Sequence, residues 1–210
     1  MRRTRRTPLI RHVASALALL MLGACASSTQ VDGQWADPQV VARGTLQGAR
    51  VMVACDASEP VVKQICQEQL ASELVARGAT PVVAPDIARS TPAMPVNDEQ
   101  YLAAARNAGA KAVLATTVSI ANSDIRPPVS IGIGGFGIGR HSGGGVGIDV
   151  PIGGGGVRNA YTASGRLTDA ATGKLLWTAR ATSPTSGDLN SQMSELARAV
   201  VGAADKAGLF

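Results

Sequence analysis

Arg50-Val51-Met52-Val53-Ala54-Cys55 is a short apolar run, and behind it the apolar residues begin to recur every three or four positions. That change of period decides the fold. The run reads as a buried strand. Ser58 then offers an N-cap, with Pro60 in the first turn. Val62, Ile65, Cys66, Leu70 and Leu74 place one apolar face on the helix that follows, and Gly78 stops it. Thr80 to Ala84 reads as a second strand. A loop from Pro85 to Pro95 leads to Asn97-Asp98-Glu99-Gln100, a start of capping-box type. The second helix carries Tyr101, Leu102, Ala105 and Ala108 inward and ends at Gly109. Lys111 to Ala121 is a third strand, with Leu114, Thr116, Val118 and Ile120 on one side. The order β-α-β-α-β, with short right-handed connections, predicts a sheet with helices packed on it.

The carboxyl-terminal part is built differently. Tyr161, Ala163, Gly165 and Leu167 alternate, Asp169 to Gly173 turns, and Leu175, Trp177, Ala179 and Ala181 run back as the second arm of a hairpin. A closing helix from about Asp188 to Ala207 has Leu189, Met193, Leu196, Val200 and Ala204 at helical spacing, before Gly208. The expected fold class is α/β (α+β). It comprises β-α-β-α-β, a glycine-rich hairpin, a second hairpin and a C-terminal helix on a mixed sheet, forming one domain over residues 46–210.

The glycine-rich segment spans Val129 to Gly156. Val129, Ile131 and Ile133 alternate with Ser130, Gly132 and Gly134, and Gly134-Gly135 shifts the phase as a bulge would. Val146, Ile148, Val150 and Ile152 form the returning arm. One face is branched and apolar, and the other is nearly bare backbone, an alternation that a flexible linker would not keep. Three readings fit: a hairpin covering the core while its glycine face admits a neighbour, a membrane-inserted arm of an oligomer, or self-association through exposed edges. Gly132, Gly134 and Gly137 match G-x-G-x-x-G in form. They lie within a strand pattern with no helix after them, which argues against a dinucleotide cofactor.

At the other end, residues 1–12 carry Arg2, Arg3, Arg5, Arg6 and Arg11 and no acid, and Val13 to Leu22 is apolar. Ten residues are too few for a spanning helix, which needs about 20. They suit the core of an export signal. The next residues, Leu22-Gly23-Ala24-Cys25, resemble the lipobox of bacterial lipoproteins. That resemblance implies removal of residues 1–24, a diacylglyceryl thioether on Cys25 and acylation of its new amine, with residues 25–45 as a lipidated tether. Ala26 beside the cysteine implies sorting to the outer membrane, facing the periplasm.

The whole chain has 20 basic and 15 acidic residues. Five of the basic ones precede Cys25 and no acid does, so residues 25–210 carry 15 of each and lack the footprint of a nucleic-acid binder. Aromatic content is only 3%, leaving Ala, Val, Leu and Ile to build the core. With Cys25 committed to lipid, Cys55 and Cys66 remain as an even pair in a disulfide-permissive compartment. A bridge between them and two buried free thiols are both open. Too few ligands lie near them for a metal.

No catalytic set emerges. His12 leaves with the signal, and His141 sits alone in Arg140-His141-Ser142 at the hairpin turn. Asp56, Glu59, Asp86, Asp149 and Asp169 fall at element ends, where caps and turns use them. Arg166 and Arg180 share the outer side of the last hairpin. Trp35, in a polar stretch, is expected to pack its indole onto the domain.

In order, the lipobox, β-α-β-α-β, the glycine-rich hairpin, Tyr161, Asp169-Ala-Ala-Thr-Gly-Lys-Leu-Leu-Trp177 and a terminal helix resemble a group of small proteobacterial lipoproteins of unknown function. More distantly, the plan is similar to the α/β domain of the curli-secretion lipoprotein, the lipoprotein activators of peptidoglycan synthases and the amino-terminal domain of TolB. The resemblance implies a non-enzymatic binding or scaffolding module at the periplasmic face of the outer membrane. Its partners would be the membrane, through the anchor, and another envelope protein or a second copy. An oligomeric membrane-inserted pore or secretion component is the alternative.

Overall fold

A computed structural model describes residues 28–39, 45–86, 98–126, 130–132, 149–151 and 156–210. The elements are β1 (Gln30–Ala36), β2 (Arg50–Asp56), α1 (Pro60–Ala76), β3 (Thr80–Val83), α2 (Asp98–Asn107), β4 (Ala112–Arg126), β5 (Ser130–Gly132), β6 (Asp149–Pro151), β7 (Gly156–Asp169), β8 (Leu175–Thr182) and α3 (Leu189–Lys206). The main sheet runs β1-β8-β7-β4-β2-β3. β2 is parallel to β3 and β4, while β4, β7, β8 and β1 pair antiparallel in succession, so the sheet is mixed. Thus the α+β architecture expected from the alternating patterns is present.

Two differences have local causes. The helix expected to cap on Ser58 instead has Glu59 at its N-cap, with no side-chain bond, because Pro60 takes the first helical position and fixes the residue before it as extended. More important, residues 30–36, read as tether, form edge strand β1 on β8. Gly33 and a register shift between Val31 and Gly33 break the alternation that would have revealed the strand. The domain therefore begins before residue 46.

α1 and α3 cover one face of the sheet. Val51, Val53, Leu114, Val118, Ala163, Trp177 and Ala179 meet Cys66, Leu70, Leu74, Met193, Leu196 and Val200 there. α1 carries Cys66 over the end of β2, where it is joined to Cys55 by a disulfide with the Cα atoms 6.1 Å apart. Small residues let α3 lie close to the sheet. A Cβ on Gly165 would stand 2.7 Å from Val200 Cγ1 and 3.5 Å from the Trp177 ring. α2 covers the other face, but only over β2 and the start of β4, through Tyr101, Leu102 and Ala105 against Met52, Ala54 and Val113.

The turns follow from side-chain chemistry. Asp169 Oδ1 accepts from the Thr172 amide and hydroxyl, both at 2.7 Å, and Gly173 takes the φ of +71° that closes the β7–β8 hairpin. Asp188 caps α3 by accepting from the Ser191 amide at 3.2 Å. Past the end of β1, buried Asp37 pairs with Lys174 of the hairpin.

Gly165→Val should wedge α3 from the sheet and cost about 1–3 kcal/mol in urea unfolding. Adding Val200→Ala should recover part of that loss, and strict additivity of the two costs would contradict the close approach. Acid should destabilise the fold in a defined window. The Lys174 ammonium, and then the Gln39 amide, hold the Asp37 carboxyl below its ordinary range; Lys63 does so for Asp86, and Ser191 for Asp188. Each depressed carboxyl contributes stability that is complete above its unfolded pKa and lost as pH falls through its folded one. The melting temperature should therefore drop below pH 3.8, the ordinary aspartate value. In Asp37→Asn, differential scanning calorimetry should show a smaller drop.

Candidate binding surface

Because α2 stops over β2 and β4, no described helix covers the second face of β7, β8 and β1. The registers arrange that face in rows. Ala115, Arg166, Thr178 and Trp35 form one row across β4, β7, β8 and β1, and Thr117, Ser164, Arg180 and Gly33 form the next. Ser119, Thr162, Thr182 and Gln30 form the third. Thr162 and Thr182 hydroxyls are 3.2 Å apart, and Thr182 donates to Asp32 at 2.6 Å. Arg180 Nε lies 4.0 Å from the same carboxylate. Arg166 and Arg180 do share one face, offset by a row.

Polar side chains on one face of an antiparallel sheet need no ligand to explain them. Trp35 is different. Its side chain was expected to pack on the domain, yet it is 49% exposed, level with Arg166 and Thr178. With Ala36 paired opposite buried Trp177, the alternation of β1 sends Trp35 to the uncovered side. An exposed indole among guanidinium and hydroxyl groups can stack on a planar or apolar surface while the guanidinium groups donate, and the hydroxyls donate or accept, hydrogen bonds.

Two open clefts lie elsewhere, beside the helices of the other face. One, of about 880 Å³, lies between β1 and α3, lined by Ser28, Val31, Gln34, Arg198, Ala199 and Lys206. Thr29 ties the chain to α3 by donating to Glu195 at 2.9 Å. The other, of about 670 Å³, lies at the start of α1, where Lys63 and Asp86 pair at 2.6 Å.

Among the described residues, no three His, Cys, Asp or Glu side chains converge on a point, and no helix is long and apolar enough to cross a membrane. Cys25, His12, His141 and residues 133–148 of the glycine-rich segment lie outside the described residues. Within that segment, Ile131 pairs with Val150 and Gly132 with Asp149, so β5 and β6 run antiparallel. Nothing in the sequence pattern marks Trp35 as facing outward, since β1 itself was not legible.

No protein-family model matches the chain, and no curated protein matches it by sequence. Solved structures do. The PelC dodecamer from Paraburkholderia phytofirmans is 19% identical, with a TM-score of 0.48 over 82% of this chain and 95% of that one. Lipoprotein GNA1162 from Neisseria meningitidis is 16% identical, with a TM-score of 0.41 over 75% of this chain and 99% of that one.

The two tryptophans should separate cleanly in solution. Acrylamide should quench Trp35 and spare Trp177, which is fully buried. Trp35→Ala should remove the quenchable emission and shift stability by less than about 1 kcal/mol. A large loss of stability would mean that the ring is packed.

Proposed function

We propose that this chain is a lipid-anchored, non-enzymatic binding or scaffolding lipoprotein of the cell envelope. It is held by Cys25 at the periplasmic face of the outer membrane and contacts another envelope protein or a second copy. The observation that carries the binding role is the sheet face that no described helix covers, where half-exposed Trp35 stands in one row with Arg166. Trp and Arg are the residue types that dominate binding energy in protein contacts. The compartment rests on the basic and apolar leader ending in Leu22-Gly23-Ala24-Cys25. The Cys55–Cys66 bridge fits an oxidising space.

A second reading, an oligomeric membrane-inserted pore or secretion component, is favoured by the antiparallel pairing of β5 with β6, the two described stretches of the glycine-rich segment. A photo-crosslinking residue at position 35 should trap one protein in intact cells. Arg166→Ala should weaken that adduct at least tenfold while Val75→Ala, far from this face, leaves it unchanged. Crosslinking indifferent to Arg166 would count against the binding face. Dye leakage from liposomes carrying the purified protein would favour the pore instead.

A further inference from the structure

The main sheet ends in two outer strands, and they are protected unequally against a neighbour. β3 is four residues long and contains Pro81, which has no amide to donate. β1 is seven residues long, contains neither Pro nor Lys, and is exposed from Gln30 to Trp35. The phase of its backbone follows from one bond. Asp37 donates its amide to the Leu176 carbonyl at 2.9 Å, and hydrogen-bonded pairs in an antiparallel ladder recur at every second residue. Trp35, opposite Thr178, and Gly33, opposite Arg180, therefore turn their backbone groups toward β8, while Gln34 and Ala36 turn theirs outward. The bulge between Val31 and Gly33 precedes this stretch and leaves it regular. A cleft of about 880 Å³ separates the edge from α3, so the helix does not obstruct a further strand.

Gly33 is a glycine that the fold itself does not require. A Cβ there would meet nothing within 4 Å, and the residue lies outside the left-handed region. Glycine weakens a strand, and its structural use there is to admit the close approach of another group. Two residues on, Trp35 holds its half-exposed ring out on the same sheet face.

An antiparallel neighbour of this same sequence satisfies both residues at once. When the two Gln34 residues exchange backbone hydrogen bonds across a two-fold axis, each Trp35 stands opposite the partner's Gly33. That is a non-hydrogen-bonded pair, where side chains come closest. Aromatic rings laid across edge glycines stabilise strand pairs. Beyond the partner's Gly33, in the same row, comes the partner's Arg180, two strand spacings or about 10 Å from Trp35 and within joint reach of indole and guanidinium. Arg180 has a side chain 64% exposed, free to lie on the ring as a cation–π contact. The match is its own converse, as a two-fold interface demands.

We propose that β1 is a self-pairing edge: two copies of this chain join β1 to β1 antiparallel about Gln34, each Trp35 covering the other's Gly33 and meeting its Arg180. This deepens the proposed function by naming a second copy as the partner beside Trp35, and it rests on that reading. Three central paired positions bury less than the about 800 Å² per partner of a standard interface. The pair is therefore weak in dilute solution and forms where a shared membrane concentrates the chains.

The test uses the full lipidated protein in phosphatidylcholine vesicles, where the native thiols are bridged or acylated and an introduced one is free. Under mild oxidation Gln34→Cys should give a disulfide-linked dimer, because hydrogen-bonded partners stand about 5.5 Å apart between Cα atoms, within disulfide reach. Gln30→Cys is exposed on the same strand but about 26 Å from its counterpart in this register, and should crosslink at least tenfold more slowly. Gly33→Thr should leave the melting temperature of dilute protein unchanged or raised, yet slow the Gln34→Cys dimer at least tenfold, and Trp35→Ala should slow it similarly. Equal rates at positions 30 and 34, or a rate at 34 indifferent to both substitutions, overturns the pairing. In that event a photo-crosslinking residue at position 35 that traps a different protein leaves the binding face standing, and one that traps nothing overturns both.

Discussion

The antiparallel pairing of β4 with β7 is the constraint on which the rest of this molecule depends. It runs over fourteen paired positions, from Ala112 opposite Asp169 to Arg126 opposite Gly156, interrupted by one register shift between Ile120 and Asn122. Its lower half joins two unlike pieces, the parallel β2–β3 unit on one side and the antiparallel β8–β1 pair on the other. Its upper half leaves both behind and becomes a two-stranded ribbon. A two-stranded ribbon is marginal by itself in water, so it draws its stability from the sheet below and from Ser186 and Gln192, which both donate to the Asn159 carbonyl.

That arrangement explains why the faces differ so much. α1 and α3 need a smooth, small-residue floor, supplied by Ala163, Gly165, Ala179 and Ala181, and the large Trp177 fills the space beside it. With few aromatic residues, close approach of helix to sheet replaces side-chain bulk as the source of packing. Among the described residues, the opposite face receives only α2, and Thr, Ser and Arg side chains occupy the remainder. A sheet closed on one side and half open on the other suits a component that must stay folded while presenting a broad surface.

How legible was this beforehand? The period change behind Cys55, the turn Asp169 to Gly173 and the helical spacing of Met193, Leu196 and Val200 each reported their element, because burial on one face imposes the pattern. β1 was not legible. Gln30-Val31-Asp32-Gly33-Gln34-Trp35-Ala36 is an exposed edge strand with a bulge, so neither burial nor a clean alternation marks it. Trp35 was therefore visible as an oddity but could not be aimed. Likewise, Lys111 to Ala121 gave β4 its buried part, while Asn122 to Arg126 carries no apolar alternation and is held by pairing alone.

The direct measure of this account is amide hydrogen exchange along β4 and β7, read residue by residue. If the two strands remain paired beyond the helices, the amides that point across the ribbon, every second one from Asn122 to Arg126 and from Gly156 to Ala160, should exchange far more slowly than unstructured chain. Free exchange beyond Ser119, with protection confined to the lower half of both strands, would contradict it.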